Sequence, residues 1–392
     1  MTTSHTQFDI AVIGGGIIGS AIAYFLLRED PALSVCVIEP DPSYEFASAL
    51  RSSGGCRVQF TGKENIAMSL YSLDFIRNFE TTMAIGDRPA PVDWVEGGYL
   101  FVVPPEHTRQ LEINARFQQA ESCTLDLLSP SELKDRFPAM YVDDLGAGVH
   151  TPQDGWCDPY GLLWGFRRKA VSLGATYIAD RVVAANHDAT AAKSVILDGG
   201  NVISATSFVN ATGAWSGDVA RLFDMTLPIS PVRRFEHYFT PGSHVGHLPY
   251  VKDTARLAFR SEGQGYSGGL VDGTVPRGYN FEVDHNYFEN VVWPAVAHRF
   301  PAFEAAKCHR TWSGLYEVNE LDGNPVIGAW NSRLPNLYTV AGFSGHGMMH
   351  APAAARGIAE LIIHGQFNTI DLTRLGYERI ENNQPYPELG IL

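Results

Sequence analysis

Basic side chains are in short supply. Lys and Arg number 29 against 43 Asp and Glu, a formal balance of −14, and no extended basic stretch exists that would neutralise a phosphate backbone. A general nucleic-acid binder is therefore excluded, whereas a small substrate, which senses only local charge, is not. Cysteine is scarce as well. The five (Cys36, Cys56, Cys123, Cys157 and Cys308) are scattered, and none belongs to a CxxC pair. That pattern predicts reduced thiols in a cytoplasmic protein rather than a disulfide framework. Neither an Arg-rich transit segment nor a basic start leading into an apolar signal core precedes the first strand. Apolar runs of membrane length are missing too. Ile10 to Leu27 comes nearest at 18 residues, but Gly14, Gly15, Gly16 and Gly19 interrupt it, and a strand, a turn and a helix account for it better than a span. No internal repeat or low-complexity tract is present. What remains is a folded soluble chain: hydrophobic residues make up 45% and charged ones 18% of 392, enough for about two domains.

The pattern of what is there is α/β. FDIAVIGG (8–15) has the β-branched run of a buried strand, IIGSAIAYFLLRED has helical length with no breaker after Gly19, and SVCVIEPD (34–41) is a second apolar strand ending on an acid. Such a β-α-β unit opens a doubly wound domain. Residues 61–150 are mixed in pattern and more aromatic. A helical period returns over 158–175, with Asp158 as N-cap and Pro159 at the first helical position. VILDGGNVI (195–203) carries hairpin turn chemistry. SFVNATGAW (207–215) is a buried strand ending in a glycine turn. Residues 226–330 are strand-rich, and LYTVAGFSGHG is again a strand feeding a helix. The expected organisation is a Rossmann-like nucleotide-binding domain in three pieces (1–60, 151–225 and 331–380), interleaved with a mixed-sheet substrate domain (61–150 and 226–330). Residues 381–392 are expected to form a surface tail.

Two glycine turns carry the chemistry. Gly14, Gly16 and Gly19 form GxGxxG between strand and helix. The first permits the tight turn, the second lets the backbone approach a pyrophosphate, and the third lets helix and strand pack closely. The helix start then offers unpaired N–H groups to phosphate charge. Glu39, 20 residues beyond Gly19, ends the next strand, where a carboxylate can accept from ribose hydroxyls. This motif alone does not separate NAD from FAD. The second turn lies in GFSGHGMMHAP (342–352), where the N–H groups of Gly345, His346, Gly347 and Met348 are expected to be unpaired and to suit negative charge. A metal site on His346 and His350, four residues apart, lacks a third ligand and the glutamate of HExxH, so no metal is expected. His350 reads as a satisfied helix histidine. For His346 that reading and a direct catalytic role stand side by side.

Taken together, VIGGGIIGSAIAYFL with Glu39, ASALRSSGG, VNATGAWS and AGFSGHGMMHAPAAARGIAELI resemble the D-amino-acid oxidase superfamily of flavoproteins, in its glycine/sarcosine oxidase-like branch. NFEVDHNYFENVVWPAVAHRFPAFE and WSGLYEVNELDGNPVIG are similar to a narrower group of FAD-dependent oxidoreductase-domain proteins within it. The resemblance implies non-covalent FAD, with its ADP half at Gly14, Gly16, Ile17, Ile18 and Gly19 and its ribose at Glu39. Ser48, Ala49 and Arg51 would line the path from pyrophosphate to ring, with Ser53 and Gly54 nearer the flavin and Val183 a further cofactor position. Gly213 is either a cofactor contact or a plain strand-end turn. Gly345, His346, Gly347, Met348 and Met349 would lie against the ring.

Two departures from the resemblance stand out. Gly314 takes the place of the cysteine that tethers flavin in sarcosine oxidase. Met349 takes the place of a lysine, and no oxygen-activating lysine is evident. For the substrate, the resemblance implies Arg57 as the carboxylate anchor, with a surface ion pair as the bland alternative. It implies Tyr316 as a cover over the substrate, with core packing as the alternative. The implied partners are a small amine or amino acid and, as electron acceptor, oxygen or a redox carrier. The implied reaction is hydride transfer to flavin and hydrolysis of the resulting imine. A low-turnover assembly or scaffold flavoprotein is the second reading.

Overall fold

The computed structural model describes residues 5–388 apart from 244 and 255. Strand His5–Ile13 is buried from Ile10 onward and lies at the centre of the first sheet. It pairs in parallel with Val35–Ile38 on one side and Val202–Asn210 on the other. Thr176–Ile178 extends the first side, and Leu334–Ala341 followed by the antiparallel edge Val326–Trp330 extends the second. The hairpin expected at VILDGGNVI is present: Val195 pairs with Ile203, and the Leu197 N–H donates to the Asn201 carbonyl at 2.9 Å. The chain leaves the first strand in one direction and returns in the other, so the strand order reverses at its C-terminal end. A crevice for a ligand opens at such a switch point.

Helices cover one face. Ile17–Glu29, Gly347–His364, Pro159–Ser172 and Lys63–Arg77 share one apolar core, in which Phe75 and Phe166 stack at 5.7 Å. Asp158 caps the third of these through the N–H groups of Tyr160 (3.0 Å) and Gly161 (2.9 Å), with Pro159 at its start as expected. No helix of the described residues is long and apolar enough to cross a membrane, and Ile10–Leu27 divides into strand and helix.

The second sheet is mixed and eight-stranded. Its order is Lys307–Asn319, Ile229–Thr240, Gly265–Leu270, Leu257–Glu262, Tyr250–Lys252, Tyr99–Val103, Ala147–Thr151 and Asp126–Leu128. Alternation along its strands separates two faces. Leu100, Val102 and Val251 enter a core with Phe239, Phe259, Phe300 and Phe303, while Tyr99, Phe101 and Tyr250 pack together on the other side. Two stretches sit with the first sheet rather than the second. Helix Lys63–Arg77 packs its Ile66, Leu73 and Ile76 into the first sheet's helical core, and Val326–Trp330 is an edge strand of that sheet. The C-terminal stretch runs over the surface but is tied down. Tyr386 donates its hydroxyl to Glu64 (2.7 Å) and its N–H to Asp322 (3.0 Å), and Glu388 accepts from the Gly62 N–H (3.1 Å), from Asn65 (2.8 Å) and from Thr61.

Candidate active site

A cavity of about 780 Å³ runs from the first glycine turn to the aromatic face of the second sheet. Gly14 has φ +99°, and a side chain there would collide with the Ala211 carbonyl. At Gly19 it would overlap the Gly14 carbonyl, which is the close helix–strand contact the motif requires. Gly16 differs: a Cβ there would meet nothing within 4 Å. It would enter the cavity, which Gly14, Gly16, Ile17 and Ile18 line. The helix begins at Ile17, so its first N–H groups face the same space without intrahelical acceptors. Glu39 lines the cavity and accepts from the N–H groups of Gly15 (2.8 Å) and Asp41 (2.9 Å). Burial raises its carboxyl, and these two donors oppose the shift.

Ser48, Ala49, Ser53, Gly54 and Gly213 also line the cavity. Arg51, Val183 and Gly314 lie apart from it. The Arg51 guanidinium is turned outward to the carbonyls of Glu45 and Ser313, each at 2.7 Å, and lies over the Phe46 ring. Gly314 faces the Arg51 side chain. Val183 is 42% exposed, and its neighbour Val182 lines the cavity instead.

The second turn is strongly bent. Gly342, Ser344 and Gly345 have φ of +85°, +51° and +109°, and a side chain at Gly345 would run into the Tyr316 ring. Glu317 organises this turn and was not singled out from the sequence. Its buried carboxylate accepts the Gly342 N–H at 2.9 Å, and its backbone carbonyl accepts the Ser344 N–H at 3.1 Å. Burial pushes the carboxyl up to about 7, against the pull of the Gly342 and Phe343 N–H groups. Of the four N–H groups expected to be unpaired, that of His346 is taken by the Phe343 carbonyl at 3.1 Å. The turn closes on itself there, and the helix starts one residue later, at Gly347.

His346 and His350 meet through their Nδ1 atoms at 3.2 Å, and His350 Nε2 reaches Ser69 Oγ at 2.9 Å. Both rings pack on Phe60. Burial, with Arg57 nearby, holds His346 down to about 3, opposed by a backbone hydrogen bond at Gly323, so the ring is neutral near pH 7. Its Nδ1 is engaged by its neighbour, and the residue lines the cavity at the helix start.

Arg57 is buried and forms no ion pair among the described residues, which removes the surface-pair alternative. Its guanidinium lies 3.9 Å from the Phe60 ring centre and 5.2 Å from that of Phe101, and it donates to the Gln59 carbonyl. Tyr316 and His346 line the same cavity. Further side chains that the sequence reading passed over complete this end. Tyr99 and Tyr250 stack at 4.3 Å, the Tyr250 hydroxyl meets Ser53 Oγ at 2.8 Å, and Lys252 and Glu388 reach the lining. Burial together with Arg57 brings Lys252 down to about 7. The alternation in LPYVKD was the available signal: Tyr250 and Lys252 share one face of their strand.

A dinucleotide turn at a switch point, a second glycine turn and an aromatic second sheet closing one cavity are the architecture of a two-sheet nucleotide-cofactor protein, and the family match makes it a flavin-dependent oxidoreductase. Residues 9–361 match the family described as FAD dependent oxidoreductase, and the chain belongs to that family. It is 33% identical to FAD-dependent oxidoreductase domain-containing protein 1 of Xenopus laevis, over 98% of this chain and 85% of that one. Among solved structures, the L-proline dehydrogenase of P. horikoshii superposes with a TM-score of 0.87 at 26% identity, over 98% of this chain and all (100%) of the other. Glycine oxidase from Geobacillus kaustophilus superposes with 0.81 at 21% identity over 95% and 98%, a likeness of fold. The family is FAD-dependent. The open space at Gly16, the free helix start and the second glycine turn fit that cofactor.

Proposed function

We propose that the protein oxidises a small amino acid or a secondary or N-methylated amine, with FAD as the immediate electron acceptor. The observation that carries this reading is Arg57, a guanidinium buried in the cavity of the second glycine turn with no carboxylate of the described chain in ion-pair range. Burial opposes its charge, and Glu388 and Asp154 offset that only from beyond ion-pair range, so an anionic guest in contact removes much of the remaining cost. A carboxylate matches its two parallel N–H donors with two oxygens.

Gly14, Gly16, Ile17 and Ile18 would hold the pyrophosphate, Glu39 the ribose, and Ser48 and Ala49 the stretch beyond it. Ser53, Gly54, Gly213 and the turn from Gly345 to Met349 would surround the ring. Bound FAD would supply a two-electron acceptor for the hydride of the C–H bond beside the neutral amine nitrogen. The amine would become an iminium ion, which loses its N–H proton to solvent as the imine and is hydrolysed by water. Arg57 fixes the acid end of the substrate, so that bond is presented in one orientation. Tyr316 shields the site from water. The N–H groups of Gly345, Gly347 and Met348, at the positive end of the helix, favour the negative charge that develops opposite them. Electrons pass on to oxygen or a redox carrier, and Met349, standing where related oxidases carry lysine, favours the carrier. The five free thiols support a reducing, cytoplasmic setting.

Anaerobic titration of the purified yellow protein with a panel of amino acids and N-methyl amino acids tests the reading. Bleaching of the flavin band by one or more of them is expected. No bleaching across the panel would favour the low-turnover scaffold, which has no need of a buried guanidinium in its cavity.

A further inference from the structure

Lys252 has no place in the reaction as drawn so far. Its strand pairs in register with Tyr99–Val103, Tyr250 opposite Tyr99 and Lys252 opposite Phe101. Val251 and Leu100 go to the core behind the sheet, and Tyr250 and Lys252 go to the cavity. There the Lys252 ammonium lies 6.0 Å from the centre of the Phe101 ring, the ring that the Arg57 guanidinium flanks at 5.2 Å. Two cationic side chains that flank one phenyl ring thus reach one cavity.

Neither has an acid as ion-pair partner among the described residues. The nearby carboxyls are already engaged. Asp154 accepts from the Val58 N–H at 3.0 Å and from Thr151, and Glu388 accepts from Gly62, Asn65 and Thr61. Burial disfavours the Lys252 ammonium, and the Arg57 charge beside it adds to the shift. One carboxylate satisfies Arg57 through its fork but leaves the lysine without a counter-charge. A guest with two carboxylates neutralises both, while the rings of Phe60, Tyr99 and Tyr250 offer an apolar wall to the carbons between them.

We propose that Arg57 and Lys252 together select an amine bearing two carboxylates, either an N-carboxyalkyl amino acid or an amino acid with an acidic side chain. The proposal rests on the amine-oxidising reading and names its substrate class. It makes Lys252 the specificity-determining residue, with Arg57 the anchor common to all acidic substrates.

Calorimetric titration of the FAD-loaded protein with two non-oxidisable ligands, glutarate and butyrate, separates the possibilities. Wild type is expected to bind glutarate at least tenfold tighter than butyrate. Lys252→Met should bring glutarate down to the affinity of butyrate, Lys252→Arg should restore the preference, and Arg57→Met should weaken both ligands. Flavin content reports whether each variant is folded, and the arginine variant serves if the methionine variant is not. Anaerobic bleaching by iminodiacetate or by glutamate, each against sarcosine, then distinguishes the two forms of dicarboxylate. Equal affinity for glutarate and butyrate in wild type, or a preference surviving in Lys252→Met, would overturn the proposal. So would a Lys252→Met variant altered only in peroxide formation, which would assign the lysine to the electron acceptor. Should neither ligand bind and Arg57→Met change nothing, the carboxylate reading of Arg57 falls with it.

Discussion

Arg57 and Glu317 are titratable groups buried at one cavity, and neither has an ion-pair partner among the described residues. For Arg57 the proposed partner is the guest. Arg57→Lys keeps the charge and loses the planar fork, while Arg57→Met loses both. Carboxylate affinity, measured with butyrate by calorimetry, should fall in the order wild type, Lys, Met, with the last step from wild type worth about 2–5 kcal/mol. The flavin spectrum should hardly change. For Glu317 the consequence is a pH dependence. Its carboxyl is raised from 4.5 to about 7, so its protonated form is favoured in the folded chain. The stability it contributes is complete below about pH 4.5 and is lost as pH rises through about 7. Over that window the apoprotein should lose up to roughly 3 kcal/mol from this group alone. Glu317→Gln, whose amide oxygen can still accept the Gly342 N–H, should flatten that part of the denaturation profile. Asp154, also raised to about 7, keeps a residual slope of the same sign. An unflattened profile in the glutamine variant would show that Glu317 is ionised in the fold. Arg57 could be singled out in the sequence only through the family resemblance, from its place nine residues after Ser48. Lys252 and Glu317 were not, since a charged residue inside a strand reads as solvated until the sheet that buries it is known.

The two glycine turns are the elements that the sequence announced most clearly, because positive φ and close backbone approach leave few residues but glycine available. They make different predictions within one motif. A Cβ at Gly16 meets no protein atom within 4 Å, so the Gly16→Val apoprotein should fold with near wild-type stability and purify without flavin. Gly19→Ala would press on the Gly14 carbonyl and should lower stability by about 1–3 kcal/mol, the range for overpacked sites. Flavin content and thermal denaturation measured side by side separate the two. Normal flavin in the valine variant would mean that the pyrophosphate lies elsewhere. The misplacement of Val183 is also an element-scale effect. The hairpin ladder shifts register there, Ile196 opposite Ala184 but Leu197 opposite Val182, so Val183 is left over as a bulged residue facing outward. Simple alternation cannot reveal such a break.

Across the whole molecule, the cavity exists only because two sheets meet over it, and the chain crosses between them several times. A β-branched run looks alike whichever sheet it joins, so Val326–Trp330 gave no sign of its sheet. The return of Tyr386 and Glu388 to Glu64, Gly62 and Asn65 spans more than three hundred residues and leaves no local trace. What held the reading together was the pairing of a dinucleotide turn with a second glycine turn far along the chain. That architecture holds the cofactor by shape. Gly314 presents no thiol and Cys308 lies outside the cavity lining, so acid precipitation should release all the yellow colour to the supernatant. Colour kept in the washed pellet would reveal a covalent link.

The central claim is that an amine anchored by Arg57 gives up the hydrogen on the carbon beside its nitrogen to the flavin. Anaerobic stopped-flow mixing tests it most directly, with a bleaching amine supplied either protiated or deuterated at that carbon, for wild type and Arg57→Met. Bleaching should be slower with deuterium, and in the methionine variant at least about tenfold slower at low substrate, the loss expected when a charge-assisted anchor is removed. Bleaching at one rate for both isotopes and both proteins would contradict the account.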